Sequence, residues 1–377
     1  MKLLIDASRN RSGGAIIYLK NFITHLDFNK SSITEIIICS YNDLLNKLPK
    51  TKNIIKYNHP FLEKNILFQM FWQLFLLPNY LDRENVDILY TTDASTFCHY
   101  SPNIVFNQDL MSFSENEMSE TSLFSKEKFR NYFIKKIQIK ALNKADEIIF
   151  NSKESKRLIS KYLKKDISSS IIYHGIDTNI INLAEENIFD HNWVAEEKKE
   201  INLIYVSPLY KYKNHSTVAK AYEILQKKYK NLNIKFIGNY KNNLNLYKDI
   251  INRNKAINKS NFLGEVSHDQ VIKEIYGADI FIFASNVESF GITLVEAMAI
   301  GIPIVCSDRS SLPEILKNGG LYFDPKKVSD LVEKIEILIK NADLRKKLSI
   351  ESKLISHEYT WDNNVEQFNK IINKLII

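Results

Sequence analysis

The stretch Glu288-Ser289-Phe290-Gly291-Ile292-Thr293-Leu294-Val295-Glu296, followed by Ala297-Met298-Ala299-Ile300-Gly301-Ile302-Pro303, decides how this chain is read. It comes after Asp279-Ile280-Phe281-Ile282-Phe283, an apolar run typical of a buried strand, and it turns helical at about Gly291. A strand therefore hands over to a helix through a short polar loop. The start of a helix presents unpaired N–H groups and a partial positive charge, and glycine lets a ligand approach the backbone closely. The pattern predicts an anion site, suited to a phosphate, over Gly291 to Thr293. Glu288 lies before the helix and Glu296 more than one turn inside it, so the two carboxylates flank that site and are placed to accept from hydroxyls on either side of a bound diphosphate.

Working outward, further strand-like runs occur at Asn202–Val206, Asn233–Ile237, Asn261–Leu263, Pro303–Cys306 and Gly320–Phe323. Gly238 and Gly264 each close one of them. The first half repeats the alternation, with apolar runs at Lys2–Ile5, Glu35–Cys39, Asp87–Tyr90, Asn103–Phe106, Glu147–Phe150 and Ser170–Tyr173 separated by longer amphipathic stretches. Strands alternating with helices predict parallel sheets covered on both faces. The 377 residues are too many for one ordinary core and predict two domains. After the first strand, Arg9-Asn10-Arg11-Ser12-Gly13-Gly14-Ala15 precedes a helical pattern, so Gly13 and Gly14 can admit a phosphate or a sugar, or form only a tight turn. The third glycine of the dinucleotide fingerprint is missing, which disfavours a nicotinamide-dependent enzyme.

With 45% hydrophobic and 25% charged residues the composition is that of a globular chain. Met1-Lys2-Leu3-Leu4-Ile5-Asp6 meets charge too early for a signal peptide, so a cytoplasmic location is expected. Cys39, Cys98 and Cys306 are far apart and have no zinc spacing, consistent with buried thiols in a reducing compartment. The net charge of +7 is concentrated: Lys126–Lys165 holds thirteen Lys or Arg against four Asp or Glu. No nucleic-acid-binding motif accompanies that run. It fits an anionic membrane surface, as does Ile66–Leu77, where only Gln69 and Gln73 interrupt ten apolar residues. The alternative is a buried core helix with a solvated lysine-rich face.

The pattern Glu-x7-Glu with Phe-Gly inside it and Ala-Met-Ala-x-Gly-x-Pro behind it resembles the donor-site signature of the retaining glycosyltransferases of family 4, and with them those of bacterial surface polysaccharides. The resemblance implies the α/β GT-B fold: two Rossmann-like, doubly wound parallel-sheet domains facing a cleft, with a C-terminal helix returning to the first. The expected parts are residues 1–185 for acceptor binding, 186–360 for the nucleotide sugar, and 361–377 as the returning helix. By resemblance the donor contacts are Gly13, Gly14, Lys211, Val266, Phe290, Gly291, Ile292, Thr293, Leu294 and Glu296. Lys213 and Glu288 are the catalytic pair, with Glu288 on sugar hydroxyls and Glu296 on the ribose.

Two positions depart from the family pattern. Lys213 matches the Lys of its basic pair, with Asn214-His215 after it, but Pro208 stands at the Arg position and Lys211 is the cation left to help. Many relatives have a histidine where this chain has Gln108, or Asp109 in a register slipped by one, on the acceptor side of the cleft. Asn151-Ser152-Lys153-Glu154-Ser155 resembles the family's late turn in the first domain, with Ser152 a helix cap, and Tyr173-His174-Gly175-Ile176-Asp177 resembles its closing turn. His215 and His268 have ordinary readings, as a helix-cap neighbour and a surface-loop residue.

The expected function is transfer of a hexose, with mannose from GDP-mannose the leading donor, to a lipid-linked or oligosaccharide acceptor in O-antigen, lipopolysaccharide or capsule synthesis. No metal or other cofactor is expected, because Lys213 and the helix start would stabilise the departing diphosphate. Peripheral attachment to the inner face of the cytoplasmic membrane follows from the basic patch. The alternative is a non-catalytic nucleotide-sugar-binding subunit of the same fold, motivated by Pro208 and Gln108.

Overall fold

In a computed structural model the chain divides into two compact units, Met1–Gly175 with Thr360–Ile377, and Ile176–Tyr359. The structure describes residues 1–11, 13–114, 126–164, 166–177, 179–181, 194 and 199–376. The expected domain break at 185/186 lies outside them, as do Ser12 of the glycine loop and Lys165 of the basic run.

The strands of the first unit are β1 (Lys2–Asp6), β2 (Glu35–Cys39), β3 (Ile54–Tyr57), β4 (Ile88–Thr91), β5 (Asn103–Asn107), β6 (Glu147–Phe150) and β7 (Ser169–Ile171). They form one parallel sheet in the order β3-β2-β1-β4-β5-β6-β7. Successive side chains of a strand point to opposite faces, and two separate cores result. Leu3, Ile5, Ile36 and Ile38 pack with Tyr18 and Phe22 of helix α1 (Gly13–His25) and with Phe368 of the C-terminal helix Trp361–Ile376. Leu4, Ile37 and Cys39 pack on the other face with Trp72, Leu77 and Leu81. Gly175 is required where the chain leaves this sheet, because a Cβ there would lie 2.3 Å from Trp361 N.

The second unit holds β8 (Ile201–Val206), β9 (Leu232–Ile237), β10 (Phe262–Gly264), β11 (Ile280–Phe283), β12 (Ile304–Ser307) and β13 (Leu321–Phe323). Its parallel order is β10-β9-β8-β11-β12-β13. In both sheets the order reverses direction beside the first strand, which places the loops after β1 and β4, and after β8 and β11, at the crevice where open α/β sheets bind ligands. Cys39, Cys98 and Cys306 are buried free thiols.

Candidate functional site

In the second unit the decisive stretch leaves β11 and enters helix α2 (Ile292–Ile300). Gly291 caps it at φ +97°, a left-handed conformation that an L side chain adopts only at a cost, and a Cβ there would press to 3.3 Å from Leu312. Leu294 N and Val295 N bond back to Gly291 O at 3.0 and 3.3 Å. The N–H groups of Ile292 and Thr293 precede these and have no helical acceptor. From Leu294 to Ile300 every residue of α2 is buried, and Glu296 is its only charged residue.

Glu288 and Lys213, 75 residues apart, form an ion pair. Their side chains are 15% and 11% exposed, so the pair stands at the edge of the interior. The loop carrying Lys213 is fixed from several sides. Tyr205 OH donates to Lys213 O at 2.5 Å, and Asn214, at φ +55°, donates from Nδ2 to Ala284 O (2.8 Å) and to Asn286 Oδ1 (2.7 Å). Asn286 N returns a bond to Tyr212 O at 2.8 Å. The loop after β8 is thus stitched to the loop after β11. Ser310 holds the main chain of Glu288, donating to its O at 2.7 Å and accepting from its N at 3.1 Å, and Ser311 donates to the same O at 2.9 Å. Phe290 is buried edge-on against Tyr359, so it shapes the loop from beneath.

Glu296 is 3% exposed, and His268 Nε2 donates to its Oε1 at 2.7 Å. Its Oε2 is buried and unpartnered among the described residues. The reading of His268 as a plain surface-loop residue is therefore corrected: it opens the helix His268–Tyr276, and the hydrogen bond to Glu296 holds its pKa above the ordinary value. Nothing in the spacing signalled this, since the pair forms only when two helices pack side by side. His215 is buried with Nε2 donating to Ser207 O at 3.3 Å, and burial pushes its pKa down to about 3, which leaves it neutral at physiological pH. Lys211 is exposed and Val266 half-buried, on the loops after β8 and β10. Pro208, at the family's Arg position, is exposed.

Gly13, Gly14, Gln108 and Asp109 belong to the first unit. Gln108 Nε2 donates to Thr92 O at 2.7 Å, and Thr92 Oγ1 donates to Asn10 Oδ1 at 2.9 Å. Asn10 Nδ2 reaches Ala15 O at 3.4 Å, so Asn10 and Thr92, neither singled out by the sequence, tie the glycine loop to the Gln108 loop. Asp109 Oδ1 accepts from Met111 N at 2.8 Å. Ser152 caps its helix, its Oγ accepting from Ser155 N at 3.1 Å.

The segment Ile66–Leu77 forms a helix with a π-helical turn at Trp72–Leu76, and the reading of it as a buried core helix does not hold. Trp72 and Gln73 face inward, Gln73 donating to Asp6 Oδ2 at 2.7 Å, while Ile66, Leu67, Phe68, Phe71, Leu74 and Phe75 are exposed. Helix Lys126–Leu142 exposes Phe129, Tyr132 and Phe133. Both helices rest on one loop, where Phe97 N donates to Gln73 Oε1 (3.4 Å) and Gln138 Nε2 to Ser95 Oγ (3.2 Å). The crossovers β3 to β4 and β5 to β6 run the same way across the sheet, so right-handed connection puts both helices on one face. Among the described residues no helix is long and apolar enough to cross a membrane.

Residues 186–354 match the model of the family described as Glycosyl transferases group 1. The chain is 28% identical over 256 residues to an uncharacterized glycosyltransferase of Methanocaldococcus jannaschii, covering 67% of this chain and 64% of that relative's length. It is 29% identical over 106 residues to the O-antigen chain mannosyltransferase B of Escherichia coli, 28% of each chain. The solved structure of Anabaena HepE in complex with UDP-glucose superposes with a TM-score of 0.73 at 16% identity, over 99% of this chain and all of that one. The chain has the GT-B fold, and its match to the group 1 glycosyl transferases falls in the unit that carries Lys213, Glu288 and Glu296.

Proposed function

We propose that the protein is a retaining hexosyltransferase that takes a sugar from a nucleoside diphosphate and passes it to a lipid-linked or oligosaccharide acceptor of a bacterial surface polysaccharide. The observation that carries this reading is the grouping of the Lys213–Glu288 pair, the helix start at Gly291–Thr293 and the spare carboxylate oxygen of Glu296 in one unit. As the bond from the anomeric carbon to the diphosphate breaks, its electron pair passes to the phosphate oxygen. Lys213 and the N–H groups of Ile292 and Thr293 stabilise the charge that grows there, and no metal is needed. Glu288, freed in part from Lys213, accepts from sugar hydroxyls as the ring gains positive charge. Glu296 holds the ribose through Oε2. Gln108 and Asp109 belong to the acceptor side.

GDP-mannose is the leading donor, supported by the similarity to a mannosyltransferase, and UDP-glucose is the competitor suggested by the HepE complex. The exposed apolar face of Ile66–Phe75, with Lys64 lying 4.6 Å over the Phe68 ring, and the cations of Lys126–Leu142 support the reading of an enzyme that docks on an anionic lipid surface at the inner face of the cytoplasmic membrane. A donor-hydrolysis panel over GDP-, UDP- and dTDP-sugars tests the reading. Hydrolysis of one donor, quickened by a lipid-linked acceptor pool, is the expected result. Nucleotide binding with no turnover of any donor would establish the binding subunit instead.

A further inference from the structure

Glu296 poses a physical problem that the donor site does not by itself solve. A carboxylate 3% exposed on an apolar helix is costly to keep charged unless something compensates it. His268 Nε2, 2.7 Å from Oε1, is the compensating group, and it is fixed where it stands. Ser267 caps its helix by accepting from Gln270 N at 3.3 Å, which makes His268 the first helical residue. The ring remains 36% exposed on its other side, so it exchanges protons with solvent while its partner does not.

We infer that His268 is the positioning residue of the donor site: it holds Glu296 with Oε2 turned to the nucleoside hydroxyls, and its protonation sets donor affinity. This rests on the reading of Glu296 as the residue that meets the ribose. The groups that bear on the ring are Glu296 from the neighbouring helix, Asp269 next to it and Asp177 from the segment after β7, all acidic, and burial opposes them. Their sum raises the pKa of His268 above 6.5. Below that raised value the imidazolium makes a charge-assisted bond to Oε1, roughly twice as strong as a neutral one. As the pH rises through it the ring gives up the proton of Nδ1 and with it its charge, and only a weaker, neutral Nε2–H bond to Oε1 remains. Glu296 is then a buried carboxylate without a counter-charge, and its orientation loosens. Donor affinity therefore falls with rising pH, in the range where histidine titrates.

The test is calorimetric titration of the full chain with UDP and GDP from about pH 6 to about pH 9, beside the corresponding 2′,3′-dideoxynucleoside diphosphates. The diphosphate ionises alike in both probes, so the difference between them isolates the hydroxyl contacts. For wild type the advantage of the hydroxylated nucleotide should shrink as pH rises. His268→Ala should lower that advantage about tenfold at the acid end, the effect of one hydrogen bond to a charged group, and remove its pH dependence. His268→Gln, which keeps a neutral donor, should recover part of the affinity with no slope. In turnover the changes should appear in the donor KM and leave kcat nearly untouched. If His268→Ala binds the hydroxylated nucleotides as wild type does, or His268→Gln keeps the wild-type slope, the inference is overturned while the donor site stands. If wild type binds neither of these nor dTDP, titrated alongside them, the donor reading itself falls, and this inference with it.

Discussion

Replacing Lys213 by methionine keeps most of the side-chain stem and removes the charge, and the structure gives two separate consequences. The first is on stability. Glu288 loses its partner while its side chain remains only 15% exposed. Breaking a fully buried pair costs about 3–5 kcal/mol and an exposed one below about 1, so an expected cost of about 2–3 kcal/mol follows for this position. For a domain of this size that is a fall in Tm of roughly 5–10 °C in the transition of the second unit. The second consequence is on catalysis: loss of one preorganised charge at the leaving group should depress kcat by about two to three powers of ten. The double variant Lys213→Met/Glu288→Gln separates them. It leaves no unpaired charge, so Tm should return most of the way to wild type while kcat stays low. Calorimetric melts and initial rates of donor hydrolysis at saturating donor measure both. Should Lys213→Met keep kcat within about threefold of wild type, or the double variant regain activity together with stability, Lys213 is only the counter-ion of Glu288 and the leaving-group role is wrong.

Glu296→Ala removes a contact made in ground and transition states alike, and should raise the donor KM in steady-state kinetics with kcat largely kept. Gly291→Ala must hold alanine at φ +97° with its Cβ against Leu312; it should cost about 1–2 kcal/mol in denaturant melts and weaken nucleotide binding by displacing the helix start. Leu67→Ser/Phe75→Ser should weaken sedimentation with anionic vesicles, leave hydrolysis of soluble donor unchanged, and add to a steep loss of binding with salt; equal binding to neutral vesicles would rule out the electrostatic part. Turnover should survive a chelator, whereas a demand for Mg²⁺ or Mn²⁺ would show that Lys213 and the helix start do not suffice for the diphosphate.

By itself the sequence determined the fold class. Runs such as Glu35–Cys39 and Glu147–Phe150 coincide with observed strands because a strand buried on both faces of a parallel sheet must be continuously apolar, a property that can be read locally. The strand Ile54–Tyr57 escaped that reading, since it lies at the sheet edge, pairs on one side only and has none of its residues fully buried. The helix start after Gly291 was legible for a related reason: capping, a positive φ and unpaired N–H groups are matters of a few consecutive residues. What only the tertiary structure decided are the partners. Lys213 meets Glu288 across 75 residues and His268 meets Glu296 across 28, and Ser310 and Ser311 secure Glu288 from the loop after β12. Likewise the apolar composition of Ile66–Leu77 could not say whether it was covered. Its two polar residues, Gln69 and Gln73, turned out to be buried, Gln73 held by Asp6 and Gln69 by Lys64 O, while the phenylalanines lie outside. Composition is a property of a segment, whereas exposure and pairing depend on which other segments the folded chain brings against it.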